Sequence, residues 1–178
     1  MSQLVIYPES GPETVLFTSD DSQAIAQQLV EVGITFRRWP ERDLAGHAAA
    51  QVLHAYASEV DALMTEGGYQ SVDVVAMWPD HPEREALRNK FLSEHTHQED
   101  EVRFFVQGAG LFVLHIDDKV YALTCGAGDL INVPAGTKHW FDMGPLPEFV
   151  AIRLFTNPEG WVAQFTGEEI AKHFPKYA

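Results

Sequence analysis

The sequence predicts a mainly β fold with peripheral helices, an α+β chain whose second half forms a small barrel or jelly roll. From Glu101 to Phe155, short runs rich in β-branched and aromatic residues follow one another with turn signals, not helices, between them. Before about residue 90, strand-like runs alternate with segments of helical periodicity. No Pro/Ser-rich linker or shift in composition divides the 178 residues. A single domain over 1–178 is therefore expected, with an α/β elaboration over about 1–90 and a barrel core over about 91–156.

Taken in order, Leu4 to Tyr7 and Thr14 to Thr18 are short apolar extended segments. Ser19-Asp20-Asp21-Ser22 offers N-caps for a helix through Val32, stopped by Gly33. Ile34 to Trp39 is extended up to Pro40. Val52, Tyr56, Val60 and Leu63 recur at helical spacing, which predicts one helix from about His47 to Thr65, ended by Gly67-Gly68. Ser71 to Trp78 reads as a buried strand, and Pro82 opens a helix of good formers through Arg88. Strands are then expected at 101–106, 111–116, 119–123, 130–133, 139–142 and 149–155. Asp117-Asp118, Gly126-Ala127-Gly128 and Pro134-Ala135-Gly136 supply turns. Thr166-Gly167-Glu168-Glu169 has capping-box spacing and predicts a terminal helix through His173.

Composition narrows the function. With 46% hydrophobic and 21% charged residues the chain is ordinary for a soluble protein, and no apolar run approaches the roughly 18 residues of a membrane span. Met1 to Tyr7 lacks a basic start followed by a long apolar stretch, so a cytoplasmic location is expected. The single Cys125 cannot form an internal disulfide and reads as a small buried residue. Twelve basic against 26 acidic side chains give a formal charge of -14, which opposes binding to a polyphosphate backbone. Neither nucleic acid nor membrane is an expected partner, and a monomer is expected.

The chemistry concentrates in His95-Thr96-His97-Gln98-Glu99-Asp100-Glu101, which gathers three candidate metal ligands, while His139 follows the prolyl turn. In extended backbone side chains alternate, so His95, His97 and Glu101 share a face once a bend at Gln98 to Asp100 absorbs the break. Three imidazoles and a carboxylate suit a borderline divalent transition metal and leave two octahedral positions open, which points to chemistry rather than structural support. Ligand type alone leaves the metal open. Arg103 has the same parity, so its guanidinium either holds an anionic oxygen near the metal or pairs with a neighbouring acid. Arg153 lies in the apolar run Phe149 to Phe155, where a charge must be paired or face a polar cavity. His47, His54, His81, His115 and His173 lack comparable spacing and stay outside the site.

Glu101 with Gly108, and Gly128 to His139 with Gly, Pro, Gly and His in register, resemble the two cupin motifs. Asn89 and Met143 depart from that pattern where Gly and Asn are usual, without touching the ligands. A more specific resemblance runs from Glu94-His95-Thr96-His97 through Glu101-Val102-Arg103-Phe104-Phe105-Val106 and extends over nearly the whole chain, including Trp39-Pro40, Phe91, Arg153-Leu154-Phe155 and Gly160-Trp161. It is to the acireductone dioxygenase family of methionine salvage.

That resemblance implies a cupin-type barrel that binds one Fe(II) or Ni(II) per chain through His95, His97, Glu101 and His139. The implied partners are O2 and the acireductone 1,2-dihydroxy-3-keto-5-methylthiopentene. Iron would give 4-methylthio-2-oxobutanoate and formate, and nickel 3-methylthiopropanoate, formate and carbon monoxide. Arg103 matches the family's residue for stabilising the substrate dianion, and Glu94 and Asp100 match outer positions that relay ligand geometry. Phe91, Phe141, Arg153 and Trp161 become candidate substrate contacts, although each aromatic taken singly reads as core packing. Two alternatives remain, another cupin dioxygenase acting on a different enediol or diketone, and a metal-binding sensor without catalysis.

Overall fold

The computed structural model describes residues 1–44 and 46–178. Among the described residues, eleven strands and four helices follow one another as β1 (Gln3–Pro8), β2 (Phe17–Ser19), α1 (Ser22–Val30), β3 (Thr35–Arg38), α2 (Ala49–Ala55), α3 (Ala57–Gly67), β4 (Ser71–Met77) and α4 (Arg84–Phe91). After them come β5 (His95–Thr96), β6 (Glu101–Ile116), β7 (Lys119–Gly126), β8 (Asp129–Val133), β9 (Lys138–Asp142), β10 (Phe149–Phe155) and β11 (Gln164–Phe165), then a 3₁₀ turn at Ile170–His173.

All pairings are antiparallel and fall into two sheets that share β6. One runs β11-β5-β9-β6-β7-β1-β2; in the other, β6 lies between β8 and β10, with β3 and β4 outside them. The sheets do not close into a continuous ring, so the architecture is the open, jelly-roll form of a cupin fold. Strands β1, β3 and β4 of the first half pair with β7, β8 and β10 of the second.

Strand β6 is where the structure departs most from expectation, because 101–106 and 111–116 are one bent strand, not two. Its first half pairs with β8 and β10 and its second with β7 and β9. The ladder to β10 skips Val106, a bulge, and Gly108 follows at φ 74. A strand passing from one sheet to its neighbour bends at such a bulge. The extra residue also reverses the alternation. Phe105 and, beyond the bend, Phe112 and Leu114 face the core between the sheets. Val102, Phe104 and Val106 instead face a layer built with Val52, Tyr56, Val60 and Leu63 of the helical region.

The expected helix over 47–65 is interrupted at Tyr56, whose φ of -112 and ψ of 20 leave the helical region. Its fully buried ring packs edge-on against Phe104, its hydroxyl donates to the Pro40 carbonyl at 3.2 Å, and that oxygen accepts from the Arg42 amide at 3.1 Å. Tertiary anchoring thus overrides local periodicity. The terminal helix from Thr166 is also absent. Thr166 Oγ1 donates to Glu94 Oε1 at 2.9 Å, and only the 3₁₀ turn forms, packing Ala171 and Phe174 against Trp140. Asp21 caps α1 as expected, accepting from the Ala24 amide at 2.8 Å.

Candidate metal centre

The two-residue strand β5 pairs His95 directly with His139 of β9, so backbone register brings together histidines 44 positions apart in the chain. His97 follows in the loop, whose carbonyl accepts from the Gly136 amide at 2.9 Å, while Asp100 Oδ1 accepts from the Ala135 amide at 2.8 Å. The prolyl turn is thereby fastened to the His loop at two points. One ligand atom from each of His95, His97 and His139 lies within 4.8 Å of the others, and all three residues are buried.

Each imidazole is oriented by a backbone carbonyl. Nδ1 of His95, His97 and His139 donates to the carbonyls of Ser93, Val162 and Thr137 at 2.8, 3.1 and 2.8 Å. A carbonyl only accepts, so each Nδ1 carries the proton and each Nε2 keeps its lone pair free for a metal. Burial, then the neighbouring His95, holds His139 down at about 3, and burial also lowers His95. Both stay neutral, the form that ligates.

Glu101 completes the cluster from the start of β6. Its Oε2 is 3.3 Å from His97 Nε2 and 3.9 Å from His139 Nε2. Among the described residues, Oε2 is the buried side-chain atom without a hydrogen-bond partner. Burial opposes its charge, but the Arg103 guanidinium beside it outweighs that and brings its pKa to about 2. An orphaned, ionised oxygen beside His97 and His139, with the Nε2 lone pair of His95 next to theirs, is a donor set that fits a divalent cation.

Arg103 grips the other carboxylate oxygen, with Nη2 and Nε at 2.9 and 3.2 Å from Glu101 Oε1. Its guanidinium lies over the rings of Phe141 and Phe112, at 4.9 and 5.3 Å from their centroids. A cavity of about 350 Å³ opens onto the three histidines and is lined by Arg103, Arg153, Phe91, Phe141 and Trp161. All four of the residues suggested for substrate thus face one space. Arg153 is also paired, its Nε and Nη2 donating to Asp73 at 3.0 and 2.6 Å.

Sequence reasoning missed other lining residues, among them Lys90, Phe112 and Phe165. Phe112 stacks on His139 with ring planes 11° apart. Its role was legible only once the bulge had reversed the parity of β6. Glu94, though buried, turns away from the imidazoles and accepts from Thr166 Oγ1 and from His115 Nδ1 at 2.7 Å. His115 therefore stays outside the cluster, as its spacing suggested. A second cavity, of about 400 Å³, is lined by Glu94 and Phe165 but by none of the three histidines.

Residues 4–163 match the sequence profile of the ARD/ARD' family. The chain is 55% identical over 180 residues to the acireductone dioxygenase of Xanthomonas axonopodis pv. citri (strain 306), covering 100% of this chain and 96% of that one. It is 58% identical over 178 residues to that of Synechococcus sp. (strain ATCC 27144 / PCC 6301 / SAUG 1402/1), with 98% of each covered. Among solved structures, acireductone dioxygenase from Bacillus anthracis, with a cadmium ion in its active centre, superposes with a TM-score of 0.80 at 28% identity, over 93% of this chain and 98% of that one. Profile, full-length identity and superposed fold agree: the chain belongs to the ARD/ARD' family, as an enzyme related to the acireductone dioxygenases.

Proposed function

We propose that this enzyme cleaves the acireductone 1,2-dihydroxy-3-keto-5-methylthiopentene with O2, using one divalent ion held by His95, His97, His139 and Glu101. The observation that carries the reading is the orphaned Glu101 oxygen beside the cluster of three lone-pair-bearing imidazoles, opening onto a cavity with arginines and aromatic walls. A bound Fe(II) or Ni(II) would supply Lewis-acid chemistry that eases ionisation of the enediol.

The residues do the rest by position. Arg103 presents N–H donors toward the cavity from a site with little water, where negative charge on a substrate oxygen is stabilised more than in bulk solvent. Glu101 keeps Arg103 in that orientation through Oε1 while Oε2 faces the imidazoles. Phe91, Phe141 and Trp161 offer apolar surface to the methylthio tail and exclude water from the reacting enediol. Glu94 and Asp100 act at one remove, Glu94 by tethering the Thr166 segment and Asp100 by fixing the turn that leads to His139.

On this reading iron directs the products to 4-methylthio-2-oxobutanoate and formate, and nickel to 3-methylthiopropanoate, formate and carbon monoxide. The protein works as a cytoplasmic monomer without nucleic-acid or membrane partners; among the described residues no helix is long and apolar enough to cross a membrane. The test is anaerobic mixing of iron- or nickel-loaded protein with acireductone, then addition of O2 and product analysis. Each metal should give its own product set. Absence of oxygen consumption with both metals would overturn the assignment.

A further inference from the structure

Arg153 of β10 is the register partner of Arg103 in β6 on one side and of Asp73 in β4 on the other. Directly opposed residues on neighbouring strands project from the same face, so Asp73, Arg153 and Arg103 form a row, and Glu101, two positions before Arg103 on the same strand, flanks its end. From Asp73 to Glu101 the charges run minus, plus, plus, minus. Asp73 takes both Nε and Nη2 of Arg153, at 3.0 and 2.6 Å, and Glu101 takes Arg103. Both arginines line the same cavity.

Like charges directly opposed on neighbouring strands repel, and Arg103 has little water around it to screen them. The Asp73 carboxylate is about half exposed, so its ion pair contributes little to folding. Its effect is directional. A bidentate grip fixes the plane of the guanidinium, and the Phe155 ring, 5.6 Å from the Arg153 carbon, supports that plane. Without Asp73, repulsion from Arg103 favours swinging Arg153 out to solvent.

We propose that Asp73 is a positioning residue: it holds Arg153 beside Arg103 so that the two guanidiniums form one notch for the negatively charged oxygens of the substrate. The inference rests on the acireductone reading. An enediol conjugated to a ketone is a vinylogous acid, anionic at neutral pH, and further ionisation gives it a second charge. One fork answers the first charge and the neighbouring fork the second.

The test compares nickel-loaded wild type with Asp73→Asn, Arg153→Met and the double variant, with melting temperature as a folding control. Asp73→Asn is expected to lower kcat/KM about tenfold, mostly through KM, and to have no further effect when Arg153 is already Met. Asp73→Glu, which keeps the carboxylate, should recover part of the loss. Additive losses in the double variant, or an unchanged kcat/KM in Asp73→Asn, would overturn the proposal.

Ascorbate, a stable enediol anion, gives a readout apart from turnover when titrated anaerobically by tryptophan fluorescence. If Asp73→Asn weakens ascorbate binding about tenfold while wild type fails to turn over acireductone, the notch stands and the substrate assignment falls. If wild type turns over and Asp73→Asn matches it in both readouts, the notch falls and the assignment stands.

Discussion

His139 has one ring nitrogen committed to the Thr137 carbonyl and the other aimed at its partners, so truncation removes a donor that no neighbour can replace. His139→Ala is expected to lower bound metal more than about tenfold with the far-UV circular dichroism unchanged. Metal analysis of dialysed protein checks this, and full metal content would remove His139 from the ligand set. Arg103→Ala should keep the metal yet lose about a hundredfold in kcat/KM, the scale of one charge-assisted contact in a dry site. Retained turnover would leave Arg103 as a mere partner of Glu101. Acid should destabilise the metal-free protein for a definite reason. With His139 at about 3 instead of 6.5, the unfolded chain binds a proton that the folded chain refuses throughout that window, so stability falls as pH drops through it. Glu101, lowered from 4.5 to about 2, adds to the loss in the same direction at lower pH. Urea midpoints measured from about pH 7 down to about pH 4 should decline steadily, and a flat profile would contradict the His139 assignment.

Strand β6 shows how an element can be legible while its use is not. Residues 101–106 and 111–116 are strand-like, but the glycines between them read equally as a turn or as a bend. Non-local contacts decide between the two. Gly108 has φ 74, and a Cβ there would lie 1.9 Å from the Glu148 carbonyl oxygen. Gly33 has φ 83 with open space around it. Gly33→Ala should therefore cost about 1 kcal/mol, and Gly108→Ala at least about 3 kcal/mol, because a backbone clash adds to the same dihedral strain. Chemical denaturation of the two variants checks the order, and equal losses would show that the bend is not held against β10. The helix interrupted at Tyr56 and the capping box unused at Thr166 follow the same logic. In each, a side chain predicted to serve its own helix is taken by a distant partner, Pro40 in one case and Glu94 in the other. Strand β11 escaped notice because its two residues are exposed and carry no alternation of buried and exposed positions.

For the molecule as a whole, a preformed donor cluster means that metal binding stabilises the native state by mass action. Free metal at about a hundred times its Kd should add about 2.7 kcal/mol, read as a rise in melting temperature that is absent in His139→Ala. The sequence by itself determined the mainly β class, the order of most elements and the grouping of His95, His97 and Glu101 as candidate ligands. Those features rest on local rules, alternation along strands, turn residues and the short spacing of His95, His97 and Glu101. Only the tertiary structure decided that His95 faces His139 across a two-residue strand, that β6 serves both sheets, and that Arg103, Arg153 and Asp73 stand in one row. Each of these is a matter of register between distant strands. Register is set by how the assembled sheets bury their faces, a property that no single segment carries.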